Sequence, residues 1–131
     1  MMNIVKASIG TVKYKTSVIA GKNSIIVDEP IDKGGLDLGF QPQELLAASL
    51  ASCTAITLKM YADQKEWTIN SFQVDVTIEQ SEDKSTTKFV RKISFEGNLD
   101  EKQHTRIVAI ANACPIHKVL LSQIVIDTIL A

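Results

Sequence analysis

The chain has 131 residues, of which 45% are hydrophobic and 22% charged, and its formal net charge is -1. That is one domain's length, residues 1–131, enough to bury a core without disulfide staples, and its balanced charge argues against disorder and a nucleic-acid surface. The opening "MMNIVKASIGTVKYK" has neither a long apolar run after a basic start nor a small-residue cleavage site. The reading is therefore no secretory signal and a cytoplasmic location, where two cysteines do not make a permanent structural disulfide.

A short strand is predicted around Ile4 to Ile9, followed by a hairpin. In the hairpin, Val12, Tyr14, Thr16 and Val18 alternate with Lys13, Lys15, Ser17 and Ile19, and "AGKNS" supplies the turn into "SIIVDE". "PIDKGGLDLGFQP" has three glycines, two prolines and no periodicity, so it reads as a loop. Pro42 suits a first helical turn, Glu44 complements its positive end, and the Leu- and Ala-rich run to about Gln64 predicts one long helix. Its most apolar part, Leu45 to Leu58, is interrupted by Ser49, Ser52, Cys53 and Thr54 and reads as short of a membrane span.

Past "QKEW" the period returns to two, with Phe72, Val74, Val76 and Ile78 on one face. "QSEDKS" turns the chain into a partner strand whose apolar face holds Phe89, Ile93 and Phe95. Arg91 falls on that same face and either snorkels to water from an edge or sits near a pocket, the first reading ranking ahead of the second. Asp100 is an N-cap for a helix carrying Ile107, Val108, Ile110 and Ala111, "CPIHKVLL" is a separate short helix, and "SQIVIDTILA" is a final strand. The order β-β-β-α-β-β-α-α-β, with no repeat or linker, predicts an α+β domain with antiparallel sheets.

Two cysteines carry the candidate chemistry. Cys53 sits in "QPQELLAASLASCT" beside Ser52 and Thr54, where a small apolar thiol is either core packing or a shielded nucleophile. Cys114 begins "CPIH": a sulfur at an N-cap before proline faces unpaired N–H groups, which lowers its pKa, and His117 is one turn away. The bland alternative is that Cys114 only caps and His117 faces solvent. A third reading, zinc held by Cys53, Cys114, His117 and His104, matches no compact ligand spacing and ranks last. Glu44, about two and a half turns before Cys53, lies on another side of the helix and is either a first-turn charge or a group that orients a neighbour at a pocket mouth.

"PQELLAASLASCTAI" followed by "ANACPIHKVL" resembles the OsmC/Ohr-like proteins, the osmotically inducible and organic-hydroperoxide-resistance group, over nearly the whole chain. The resemblance implies an intertwined homodimer with sheets wrapped around long central helices and active sites at the subunit interface. It also implies a thiol-dependent peroxidase of oxidative-stress defence. Cys53 attacks an organic hydroperoxide, Cys114 resolves the sulfenic acid as a disulfide, and an external small thiol or lipoyl-type reductant restores the pair, with no cofactor, metal, nucleic acid or membrane. In the hydroperoxide-reducing branch a glutamate stands ten residues before the reactive cysteine and pairs with an N-terminal arginine. Here Gln43 stands there, Glu44 follows, and no arginine precedes Arg91, so Lys15 and Lys33 are the nearest stand-ins and "CPIH" is closer to the OsmC-like branch. The alternative function is a non-enzymatic ligand-binding or redox-sensing dimer.

Overall fold

The computed structural model describes residues 2–131 and comprises two compact units, one running to Leu46 and the other Ala47–Ala131. The first unit is a three-stranded antiparallel meander of β1 (Val5–Ile9), β2 (Thr16–Ala20) and β3 (Asn23–Val27). Val5 pairs with Ala20 and Ile9 with Thr16, and on the other side Thr16 pairs with Val27 and Ala20 with Asn23. Gly21, at φ 61, takes the left-handed position of the β2–β3 turn. β2 begins four residues later than the alternation of Val12 and Tyr14 implied, because Lys15 N–H turns back to Val12 O at 3.1 Å and Tyr14 N–H goes to the Asp28 carboxylate.

The loop after β3 is organised by close backbone approach. One 3₁₀ turn, Ile31–Lys33, ends at Gly34 in the left-handed region. A Cβ on Gly39 would sit 1.8 Å from Ile26 O, so only glycine lets the returning chain pass there. Val27 then pairs with Phe40 in a parallel bridge, and Asp28 N–H reaches Phe40 O at 3.1 Å.

α1 (Pro42–Gln64) has the predicted ends, and Glu44 reaches back to Gln41 N–H at 2.8 Å to satisfy an orphan donor of the first turn. Its buried stripe is Leu50, Thr54, Leu58 and Ala62, spaced every fourth residue. At 23 residues it is, among the described residues, the one helix long and apolar enough to cross a membrane by length and composition, where the sequence reading stopped its apolar part at Leu58. Its buried stripe packs into the core of the second unit, and Lys59 and Asp63 form an exposed ion pair.

β4 (Ile69–Gln80) and β5 (Thr87–Gly97) form the second hairpin, with Phe72 opposite Phe95, Val74 opposite Ile93, Val76 opposite Arg91 and Ile78 opposite Phe89. The aromatic pair at 6.5 Å fixes one end of this face. α2 (Glu101–Asn112) opens with a full capping box: Asp100 accepts from Gln103 N–H and the Gln103 side chain accepts from Asp100 N–H, both at 2.8 Å. Asp100→Ala is expected to cost about 1 kcal/mol, read as a lower urea midpoint at unchanged slope. α3 (Pro115–Leu121) follows after Ala113 and Cys114. Leu50, Leu58, Ala62, Ile107, Ala111 and Cys114 are the buried hydrophobic core of this unit.

Among the described residues the predicted final strand is absent. Residues 123–131 carry no secondary structure, and Ile124, Val125, Ile126, Ile129 and Leu130 are all exposed. Alternation makes a segment competent for a strand, but the strand forms only when its N–H and C=O groups meet an edge, and none among the described residues pairs with it. The observed order is therefore β-β-β-α-β-β-α-α, still α+β with antiparallel sheets.

Candidate functional site

α1, β5, α2 and α3 of the second unit bring one group of side chains together. α1 delivers Cys53 and, from its buried stripe, Thr54, which is fully buried. Pro115 starts α3 and places Cys114 at the N-cap, also fully buried. The Thr54 hydroxyl, next to Cys53 in the chain, lies 3.9 Å from Cys114 Sγ, and each thiol shifts the acidity of the other. Both are free thiols, Cys53 half-buried and Cys114 buried.

Their acidities differ in direction. Burial pushes the Cys53 thiol up; Ile116 N–H opposes this, while the hydrogen bond and charge of Cys114 add to the rise. Burial also acts to raise Cys114, but it is outweighed by the backbone N–H of His117, by Cys53, by the Thr54 hydroxyl and by Ile116 N–H, so its pKa is lowered. None of these backbone groups makes a full capping hydrogen bond to the sulfur.

Arg91 joins this group, against the expectation that it snorkels to water. Its Nη1 donates to Thr54 Oγ1 and to Ala111 O, each at 3.1 Å. Its Nη2 donates to Asn112 Oδ1 at 2.9 Å and contacts His117 Nδ1 at 3.1 Å. These partners lie between 20 and 37 residues away in sequence, so no local pattern names them. The available signal was the register: a charge within an apolar alternating face is buried only when its hydrogen bonds are met.

The contact sets the His117 tautomer. A guanidinium only donates, so Nδ1 keeps its lone pair and the ring proton sits on Nε2. Nitrogen NMR of His117 is expected to show the Nε2–H tautomer in the parent protein and a mixture in Arg91→Met.

A cavity of about 360 Å³ opens between β5 and α2, with Arg91 and Asn112 at its polar part and Ile93, Phe95, Ile107 and Val108 among its apolar lining. His104 also lines it, with its ring 5.4 Å from that of Phe95. His104 is therefore not gathered with Cys53, Cys114 and His117. Among the described residues no three His, Cys, Asp or Glu side chains are grouped to hold a metal ion.

Glu44 and Gln43 are exposed, and Glu44 is engaged as the helix-start group for Gln41 N–H. Lys15 and Lys33 are exposed in the first unit.

Solved structures resemble this chain over most of its length. A structure from Psychrobacter arcticus 273-4, of a protein described by osmotic stress induction and a detoxification response, is 30% identical, with a TM-score of 0.77 over 91% of this chain and 88% of that one. An OsmC-like protein from Mycoplasma pneumoniae is 21% identical, with a TM-score of 0.77 over 92% and 87%. The organic hydroperoxide resistance protein OhrB of Bacillus subtilis is 20% identical, with a TM-score of 0.62 over 92% and 91%. The last two show likeness of fold. No curated protein matches the chain. The OsmC-like protein family matches residues 34–129, a span that holds Cys53, Arg91, Cys114 and His117, and the chain belongs to that family.

Proposed function

We propose that this protein is a thiol-dependent peroxidase that reduces organic hydroperoxides, working as a cytoplasmic homodimer in oxidative-stress defence. The observation that carries this reading is the meeting of α1 with the start of α3, where the hydroxyl of Thr54, next to Cys53 in the chain, lies 3.9 Å from Cys114 Sγ, and where each thiol shifts the acidity of the other. The names of related structures support it, since those from Legionella pneumophila and Bacillus subtilis are called organic hydroperoxide resistance proteins.

Cys53 is the attacking sulfur because it is the less buried of the two. As it approaches the peroxide, its proton passes to the Cys114 thiolate. Cys53 sulfur then bonds to the outer peroxide oxygen, the O–O bond breaks, and the leaving alkoxide takes a proton to depart as an alcohol. Cys53 is now a sulfenic acid. Cys114 sulfur attacks it, an S–S bond forms, and the oxygen leaves as water. Two electrons have gone from the thiols to the peroxide. A small dithiol or lipoyl-type reductant returns them by thiol–disulfide exchange.

The raised pKa of Cys53 favours a second reading, a redox sensor or ligand carrier whose thiols oxidise without turnover. Single-turnover oxidation of the reduced protein separates the two. Faster oxidation by cumene hydroperoxide than by hydrogen peroxide, followed by repeated turnover with a dithiol, supports the peroxidase. Oxidation by both at the rate of a free thiol contradicts it.

A further inference from the structure

Arg91 is half-buried on the apolar face of β5, opposite Val76 and flanked on that face by Phe89 and Ile93. Four hydrogen bonds hold its guanidinium, all to neutral acceptors: Thr54 Oγ1, Ala111 O, Asn112 Oδ1 and His117 Nδ1. Among the described residues no carboxylate pairs with it. A cation partly withdrawn from water and given only neutral partners is better balanced when a negative charge forms nearby. One hydrogen-bond partner away, through Thr54, lies a group that can become negative, the Cys114 thiol.

Thr54 connects the cation to one of them. Its oxygen accepts from Arg91, so its single hydrogen must point elsewhere. Two acceptors are within reach, Leu50 O at 2.7 Å and Cys114 Sγ at 3.9 Å. With the sulfur neutral the carbonyl is the better acceptor; with the sulfur charged, the hydrogen is drawn to sulfur. On its other side the guanidinium fixes the His117 ring by claiming Nδ1, and His117 stands on the same short helix that Cys114 begins.

We propose that Arg91 is the positioning residue of the thiol pair, holding Thr54 and His117 so that a thiolate at Cys114 is hydrogen-bonded and its charge is balanced. The inference rests on reading Cys53 and Cys114 as a reactive pair, and it adds the cation that the sequence reading sought before residue 91. The titratable or charged groups facing Cys114 are Cys53 from α1, Arg91 from β5 by way of Thr54, and His117 from α3; the end of α2 contributes the neutral Ala111 carbonyl and Asn112 amide. Removing Arg91 therefore removes the one permanent positive charge of the group.

The test is a pH titration of Cys114 by thiolate ultraviolet absorbance in a Cys53→Ser background, which needs no reagent to reach the buried sulfur. Arg91→Met is expected to raise the midpoint by about one pH unit or more. Thr54→Val, which keeps the shape and removes the hydroxyl, is expected to raise it by less. Arg91→Lys keeps the charge without the planar fork and should fall between parent and Arg91→Met. Circular dichroism melts report whether each variant folds. An unchanged midpoint in folded Arg91→Met overturns the proposal, and if that variant fails to fold, an unchanged midpoint in Thr54→Val does so. No peroxide enters the titration, so a protein that fails to reduce peroxides yet shows these shifts would defeat the peroxidase reading and leave the role of Arg91 standing.

Discussion

Cys53→Ser should lose organic hydroperoxide reduction by at least about 100-fold, the scale on which removing a positioned catalytic group registers. The reason is access: Cys114 is fully buried, and Cys53 is the sulfur with exposure to meet a peroxide. Cys114→Ser has a different outcome. The first oxidation survives but slows, because the thiolate that accepts the Cys53 proton is gone, and the product stays at sulfenic acid with no disulfide. Stopped-flow oxidation with dimedone trapping reads both. Equal loss in the two variants at the first step would mean that the roles of the sulfurs are not separable. Retention of full rate in Cys53→Ser would remove Cys53 from the chemistry.

Asp28→Ala should lower the melting midpoint by roughly 10 °C or more, since it orphans several backbone donors at once. The Asp28 carboxylate is buried and accepts four backbone N–H groups: Tyr14 at 3.2 Å and Glu29 at 2.8 Å on Oδ1, and Leu36 at 3.3 Å and Leu38 at 3.2 Å on Oδ2. It ties the bend before β2 to the glycine-rich loop, where a Cβ on Gly35 would lie 2.0 Å from Glu29 O. Burial acts to raise the Asp28 pKa, but the N–H groups of Glu29, Leu38, Leu36 and Tyr14 together hold it below the ordinary 3.8. A carboxyl depressed in the folded state contributes stability above its unfolded pKa and loses it as pH falls through the lower folded value. The parent should therefore lose melting temperature as pH drops below about 4, while Asp28→Asn starts lower and shows a shallower acid decline. An acid decline of equal steepness in both proteins would contradict this role.

Elements with a strong local signature were legible. Alternation located both hairpins, Pro42 and the absence of Gly or Pro to Gln64 set the ends of α1, and Asp100 marked the start of α2. The pair Cys114 and Pro115 likewise announced a helix start. The remaining features depend on distant partners. "SQIVIDTILA" has a strand's alternation but pairs with no edge among the described residues, and Tyr14 leaves the strand pattern because Asp28, fourteen residues on, takes its N–H. Arg91 was misjudged for the same reason. Snorkelling is the ordinary fate of an arginine near apolar surface, and only the convergence of α1, α2 and α3 supplies the four acceptors that keep it in. Asp28 stood at the mouth of a glycine-rich loop, where a carboxylate able to collect turn N–H groups was the available clue.

The measurement that bears most directly on the pairing of the two sulfurs is peptide mapping of the protein after one equivalent of cumene hydroperoxide. Near-stoichiometric conversion to an intramolecular disulfide between Cys53 and Cys114, reversed by a dithiol, is the predicted result. Cys53 carried to sulfinic acid while Cys114 stays a free thiol would contradict it.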